Sequence, residues 1–117
     1  APFIYSAALL DDGERYERAI QATVDNPYTQ QDHAFIRQVQ AILAWDATSR
    51  SNAIKSSTLV VTNSEDILVP PRNGEKLSKL ISGAKLVSLD GGHAGVTEAP
   101  HEHNTAFLEF LGAAVPA

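Results

Sequence analysis

The chain has 117 residues, of which 44% are hydrophobic and 20% charged, so it has the composition of one globular domain rather than of a disordered segment. Its formal net charge of −5 and its scattered basic residues give no support for binding nucleic acid or an anionic membrane. It contains no cysteine, which excludes disulfides, thiolate metal sites and a cysteine nucleophile on this chain. We find no secretory signal pattern and no apolar run of ~20 residues, and therefore expect a cytoplasmic protein.

The first half of the chain has helical periodicity. Apolar residues recur at four-residue spacing over 12–24, which predicts a helix with one apolar stripe. Pro27 ends this helix, because the residue before a proline is biased towards extended geometry. A second helix is predicted over 30–46, with a broad apolar face that includes the single tryptophan, Trp45.

The second half of the chain alternates strand and helix. Strands are predicted at 57–62 and 84–89, and helices at 74–81 and 101–115. The first strand is a short, β-branched apolar run without alternation, which is typical of a parallel strand buried on both faces. This order predicts the α/β class with a mostly parallel sheet. Two strands alone would leave open sheet edges, so we expect them to belong to a larger sheet.

Two ionisable residues follow the two predicted strands. Asp66 lies in the turn after the first strand and His93 in the turn after the second. In open α/β sheets functional groups gather beyond the carboxyl ends of the strands, so we expect these side chains to lie within hydrogen-bonding reach. A carboxylate beside an imidazole fixes its tautomer and stabilises the imidazolium, and such a pair normally activates a serine hydroxyl.

Each of these residues also has a less specific interpretation. Taken alone, Asp66 fits an ordinary turn residue and His93 a half-buried histidine. Two further histidines, His101 and His103, are interpreted as solvated residues at a helix start, because their spacing separates them around the helix and disfavours a shared metal. Glu98 is predicted to cap or support a loop, and no metal or cofactor is predicted.

The segment 58–111 resembles the last two strands and the terminal helix of the α/β-hydrolase superfamily. The common pattern is an apolar strand, G-x-x-D-x-x-V-P, a helix, P/S-G-A-x-L-x-x-L, then G-G-H, E-x-P and a helix that ends in F-L. This resemblance implies that Asp66 is the acid and His93 the base of a catalytic triad. Asn63 stands where the family commonly has glycine, a departure that is tolerable because asparagine also accepts left-handed geometry.

The resemblance also implies a domain organisation and a partner. Residues 1–54 would be a helical lid segment, and residues 55–117 the C-terminal portion of an α/β-hydrolase core. The chain contains no G-x-S-x-G nucleophile elbow. We therefore expect the nucleophile on a separate N-terminal half of the same hydrolase, and the activity only in the assembled protein.

The substrate implied by the resemblance is a small acyl compound such as an ester or a lactone. Trp45, Ile67 and Leu68 are candidates for the substrate pocket, since Trp45 lies on the apolar face of the second helix and Ile67 and Leu68 follow the acid. The alternative is a non-catalytic structural or binding fragment of a protein with this fold.

Overall fold

A computed structural model describes residues 3–112 of the chain. The predicted helices and strands are present with shifted ends, and three short helices are added to them. The elements in chain order are α1 (Ala7–Asp11), α2 (Gly13–Val24), α3 (Asp32–Ala44), α4 (Thr48–Ser51), β1 (Leu59–Asn63), α5 (Pro71–Leu80), β2 (Lys85–Leu89), α6 (Gly95–Glu98) and α7 (Pro100–Leu111).

The two strands form a parallel sheet, which confirms the predicted α/β class. Their register pairs Leu59 with Lys85 at one end and Asn63 with Leu89 at the other. The connection between them runs through α5, as a parallel pair requires. Because both strands end at the same level, the turns that follow them start from the same edge of the sheet.

Proline and glycine account for the ends of the two helices of this half. Helix α5 begins at Pro71, earlier than the predicted 74–81, because proline at the first helical position needs no N–H partner and has a helical φ. Helix α7 ends at Leu111, where Gly112 adopts a φ of 70° and caps it. The predicted extension of this helix through 113–115 lies outside the described residues.

Much of the apolar surface of the described residues remains exposed. The buried apolar side chains are those of Leu9, Val60 and Ile81. By contrast, Leu43 is 81% exposed and Leu111 is 74% exposed. Within residues 3–112, no helix combines the length and the apolar character needed to cross a bilayer.

Candidate active site

The structure brings Asp66 and His93 together at the edge where both strands end. The Oδ2 atom of Asp66 lies 2.9 Å from Nδ1 of His93. The Asp66 side chain is 10% exposed and that of His93 is 43% exposed. The pair is therefore half covered, with the carboxylate on the inside and the imidazole towards the surface.

The Asp66 carboxylate is held by its own turn. Its Oδ1 atom accepts hydrogen bonds from the N–H groups of Leu68, at 3.0 Å, and Val69, at 2.8 Å. Asparagine and aspartate commonly close such turns by bonding backbone groups two or three residues further on. With Oδ1 occupied by the backbone, Oδ2 is the oxygen left for His93.

Burial and hydrogen bonding shift the pKa of the Asp66 carboxyl in opposite directions. Burial raises the pKa of its carboxyl, but hydrogen bonds from the N–H groups of Val69 and Leu68 and from the His93 imidazole favour the ionised form. The second influence is larger, so the pKa of Asp66 lies below its usual value. Asp66 is therefore ionised at neutral pH and serves as a hydrogen-bond acceptor.

The ionised carboxylate decides which nitrogen of His93 carries the proton. A carboxylate without a proton can only accept, so in the neutral imidazole Nδ1 is the protonated nitrogen and donates to Asp66. The other nitrogen, Nε2, is then free to take a proton from a reacting group. This arrangement suits a general base that is oriented by a carboxylate.

Hydrogen bonds between the two turns hold Asp66 and His93 in register. The N–H of Ser64 donates to Leu89 O at 2.8 Å, and the N–H of Glu65 donates to Gly91 O at 2.9 Å. These bonds continue the strand ladder into both turns. Gly91 adopts a φ of 138°, a conformation that other residues rarely reach, and it lets the chain turn towards His93.

The segment 4–7 packs directly against both turns, a contact that no local sequence pattern indicates. Ile4 O accepts a hydrogen bond of 2.7 Å from the N–H of Ala94, next to His93. A side chain at Gly92 would lie 2.5 Å from the carbonyl carbon of Tyr5, so the two backbones touch there. The N–H of Ala7 donates to Glu65 Oε2 at 2.9 Å.

Glu98 also binds the segment 4–7, through Ser6. Its carboxylate accepts hydrogen bonds from the N–H of Ser6, at 3.1 Å and 3.2 Å to the two oxygens, and from the Ser6 hydroxyl. The guanidinium of Arg15 donates to the backbone oxygen of Glu98 at 2.9 Å. Glu98 thus supports a loop, as predicted. The residue in the sequence that indicates this contact is Ser6, a preferred N-cap residue, whose hydroxyl accepts a hydrogen bond from the N–H of Leu9 at the start of α1.

The prediction that His103 is a solvated residue was wrong. The His103 side chain is 1% exposed, whereas His101 on the same helix is exposed as expected. Nδ1 of His103 lies 2.9 Å from Ala99 O and Nε2 lies 2.9 Å from Oδ1 of Asn63. A histidine at this helix start is buried because both of its nitrogens find partners. Within residues 3–112, no three His, Asp or Glu side chains cluster as a metal site requires.

Asn63 does not use the left-handed geometry that asparagine tolerates. No residue other than glycine has a positive φ in the described part of the chain, so Asn63 is not left-handed. It is the last residue of β1, and its side chain occupies the space beside Gly95 and meets His103. The asparagine makes a side-chain contact with His103 that a glycine at this position could not make.

The predicted pocket residues fall into two places. Ile67 and Leu68 follow Asp66 directly and are 64% and 52% exposed. Trp45 lines a cavity of about 430 Å³ between α4 and α5, and Asp66 and His93 are not among the residues that line it. The guanidinium of Arg50 lies 4.6 Å from the Trp45 ring centre. A role of all three in one pocket stays a prediction.

Known proteins resemble this chain over most of its length. No protein-family model matches it. A protein of Pseudomonas savastanoi pv. phaseolicola named carbamate hydrolase RutD is 30% identical over 121 aligned positions, which cover 97% of this chain and 44% of that protein. The chain thus spans less than half the length of this relative.

Solved structures with the same fold also match this chain over less than half of their own length. The enol-lactonase from Burkholderia xenovorans superposes with a TM-score of 0.80 and 24% identity, covering 95% of this chain and 42% of the enzyme. MGS-M2, an alpha/beta hydrolase enzyme from a deep-sea metagenome library, superposes with a TM-score of 0.81 and 24% identity, covering 99% of this chain and 43% of that protein. At this identity the two superpositions identify the fold.

Proposed function

Because this chain belongs to the α/β-hydrolase superfamily and corresponds to the C-terminal part of its fold, we propose that Asp66 and His93 are the acid and the base of a catalytic triad. The observation that carries this proposal is the 2.9 Å contact between the ionised Asp66 carboxylate and Nδ1 of His93. The reaction is hydrolysis of an acyl bond through a serine nucleophile. The non-catalytic alternative lacks a use for this pair.

The pair would move one proton at Nε2 of His93. In the first step Nε2 takes the proton of the serine hydroxyl while its oxygen forms a bond to the acyl carbon. The imidazolium then gives this proton to the leaving group as the acyl–leaving-group bond breaks. A water molecule, deprotonated in the same way, releases the acid and restores the serine. Throughout, Asp66 stays ionised and stabilises the imidazolium.

The nucleophile and the oxyanion hole would come from an N-terminal half of the same hydrolase. The chain has no G-x-S-x-G elbow, and it spans 44% of the length of its RutD relative. The parallel pair β1 and β2 also needs further strands to cover its edges, and exposed residues such as Leu43 and Leu111 need a packing partner. We propose that residues 1–54 act as the lid and residues 55–117 complete the core.

The substrate would be a small acyl compound of the ester, lactone or carbamate type. One relative is named a carbamate hydrolase and one structural neighbour an enol-lactonase, and all of these bonds are cleaved by attack at an acyl carbon. The exposed Ile67 and Leu68 lie beside the acid and would offer apolar surface to the acyl or alcohol group. Trp45 would join them when the lid closes.

A fluorophosphonate reporter tests the proposal, because it reacts covalently with serines that a neighbouring base activates. The tagged chain is purified without denaturation, together with the polypeptides that associate with it. We expect labelling of a serine outside residues 1–117, identified by the intact mass of each polypeptide, and a burst of p-nitrophenol from p-nitrophenyl acetate. His93→Ala should abolish both signals.

His33→Ala provides the matched control, since His33 is an exposed histidine on α3 that lies outside the pair. It should label and hydrolyse like the natural chain. Labelling that persists in His93→Ala would contradict the proposal. The absence of labelling and hydrolysis in every preparation would support the alternative, a structural or binding role.

A further inference from the structure

We infer that Asn63 and His103 are positioning residues, which connect helix α7 to both turns that carry Asp66 and His93 and so set the geometry of that pair. The inference rests on the proposed function in so far as it concerns the rate of hydrolysis. Neither residue touches the reacting atoms. Their effect would be transmitted through Asn63, which contacts both turns and His103.

The burial of His103 is unfavourable unless its ring nitrogens are hydrogen-bonded. At 1% exposure it is the most deeply buried large side chain of the described residues. An unsatisfied polar group in such a place destabilises the fold, so the two hydrogen bonds of His103 are what permit its burial. Phe107 packs against the ring edge at a centroid distance of 6.3 Å.

The orientation of the ring is determined within α7. A backbone oxygen can only accept, so Nδ1 of His103 donates to Ala99 O, one helical turn earlier. This bond fixes the ring and aims Nε2 away from the helix, towards the end of β1. There Nε2 meets the Asn63 amide at 2.9 Å, across 40 residues of sequence.

Asn63 belongs to the turn of Asp66 through its backbone. It is the last residue of β1, and its carbonyl oxygen accepts a hydrogen bond of 3.1 Å from the N–H of Asp66. A displacement of Asn63 would therefore displace the acid directly. The carboxylate itself is bound to the N–H groups of the same turn and would follow the backbone.

Asn63 contacts the turn of His93 through its side chain. A Cβ atom at Gly95 would lie 2.5 Å from Oδ1 and 2.6 Å from Cγ of Asn63, so the amide lies flat against the backbone of Gly95. Gly95 follows His93 by two residues, and its N–H donates to Gly92 O at 3.1 Å to close that turn. The Asn63 amide thus lies between the buried imidazole of His103 and the loop of the catalytic base.

An amide is well suited to this position because it can donate as well as accept. A neutral His103 that donates from Nδ1 needs a donor at Nε2, and a doubly protonated His103 needs an acceptor there. The Asn63 side chain provides either by a half-turn about its terminal bond.

The test uses the full chain together with its associated polypeptides and three substitutions. His103→Phe keeps an aromatic ring and removes both hydrogen bonds. Asn63→Ala removes the same contact from the other side and remains informative if His103→Phe does not fold. His101→Phe is the matched control, because it makes the same change at an exposed position of the same helix.

Two measurements separate positioning from a general loss of structure. The first is hydrolysis of p-nitrophenyl acetate, in which we expect kcat to fall about 10- to 100-fold with little change in KM, because displacements near 1 Å cost rates of this order. The second is the nitrogen chemical shifts of the His93 ring in ¹⁵N-labelled protein, which report the tautomer without any substrate. We expect the natural chain to show the Nδ1-protonated form, and His103→Phe and Asn63→Ala to lose it in part.

The double variant provides the sharpest outcome. If the two residues act through one contact, Asn63→Ala with His103→Phe should lower kcat about as much as the larger single change, whereas independent effects would multiply. Unchanged His93 ring shifts in a folded variant, or a kcat like that of His101→Phe, would overturn the inference. If no preparation hydrolyses the ester, the proposed function fails, while the ring shifts still decide the positioning role.

Discussion

The substitution Asp66→Asn offers the most direct examination of the proposed triad. In the natural chain, Oδ1 of Asp66 accepts hydrogen bonds from the N–H groups of Leu68 and Val69, and the side-chain oxygen of an asparagine can accept both. The amide nitrogen must then take the place of Oδ2 and face Nδ1 of His93. A donor at that position requires Nδ1 to accept, so the proton moves to Nε2 and His93 can no longer act as a base.

The magnitude follows from the geometry of the pair. Opposite charges 2.9 Å apart attract by about 6 kcal/mol at an effective dielectric constant of about 20. Because the His93 side chain is 43% exposed, solvent screens part of this attraction, and we take about 4 kcal/mol as the share lost from the transition state. That share corresponds to about a 10³-fold lower kcat. A similar replacement in a serine protease triad costs about 10⁴-fold, chiefly through the wrong tautomer.

The assay is steady-state hydrolysis of p-nitrophenyl acetate by the assembled protein at neutral pH. We expect kcat to fall by about three orders of magnitude while KM changes little. Asp90→Asn is the matched control, because Asp90 lies in the same pair of turns, is exposed, and bonds the Ser64 hydroxyl at 3.2 Å instead of a histidine. If Asp66→Asn hydrolyses the ester as fast as Asp90→Asn, then Asp66 is not the acid of a triad.

Three further predictions concern stability and can be measured by chemical denaturation. The pKa of Asp66 is lower in the folded than in the unfolded chain, so the unfolded state binds more protons between the two values. The contribution of Asp66 to the free energy of unfolding should therefore be complete above about pH 4 and disappear as the pH falls below it. The difference in unfolding free energy between the natural chain and Asp66→Asn should shrink over the same pH range. Gly92→Ala should destabilise the protein by about 1–3 kcal/mol because its Cβ would meet the backbone of Tyr5 and Ser6, whereas Gly13→Ala, with nothing within 4 Å, should not; equal stabilities would contradict the described contact. Ser6→Ala should cost about 1 kcal/mol through loss of the α1 cap and of the bond to Glu98, and a value no larger than that of the exposed Ser82→Ala would show that this contact contributes nothing.

Local patterns were sufficient for the elements and for the pair of residues at the sheet edge. Short runs rich in apolar and β-branched residues, bounded by polar turns, identified both parallel strands, although in the described residues only Val60 of the two strands is buried. The topology of a parallel crossover then required the turns of Asp66 and His93 to start from one edge. Helix ends were less accurate, since Pro71 and Gly112 determine them through φ and not through the apolar pattern.

Tertiary structure alone decided which polar residues surround that pair. The contact of His103 with Asn63 joins positions 40 residues apart, and that of Ser6 with Glu98 joins positions 92 residues apart. A local pattern describes which face of one helix or strand is apolar, and it contains no information about which polar group of a distant segment will arrive there. For this reason the sequence by itself predicted that Asp66 and His93 meet at one sheet edge, and only packing revealed the polar residues that surround them.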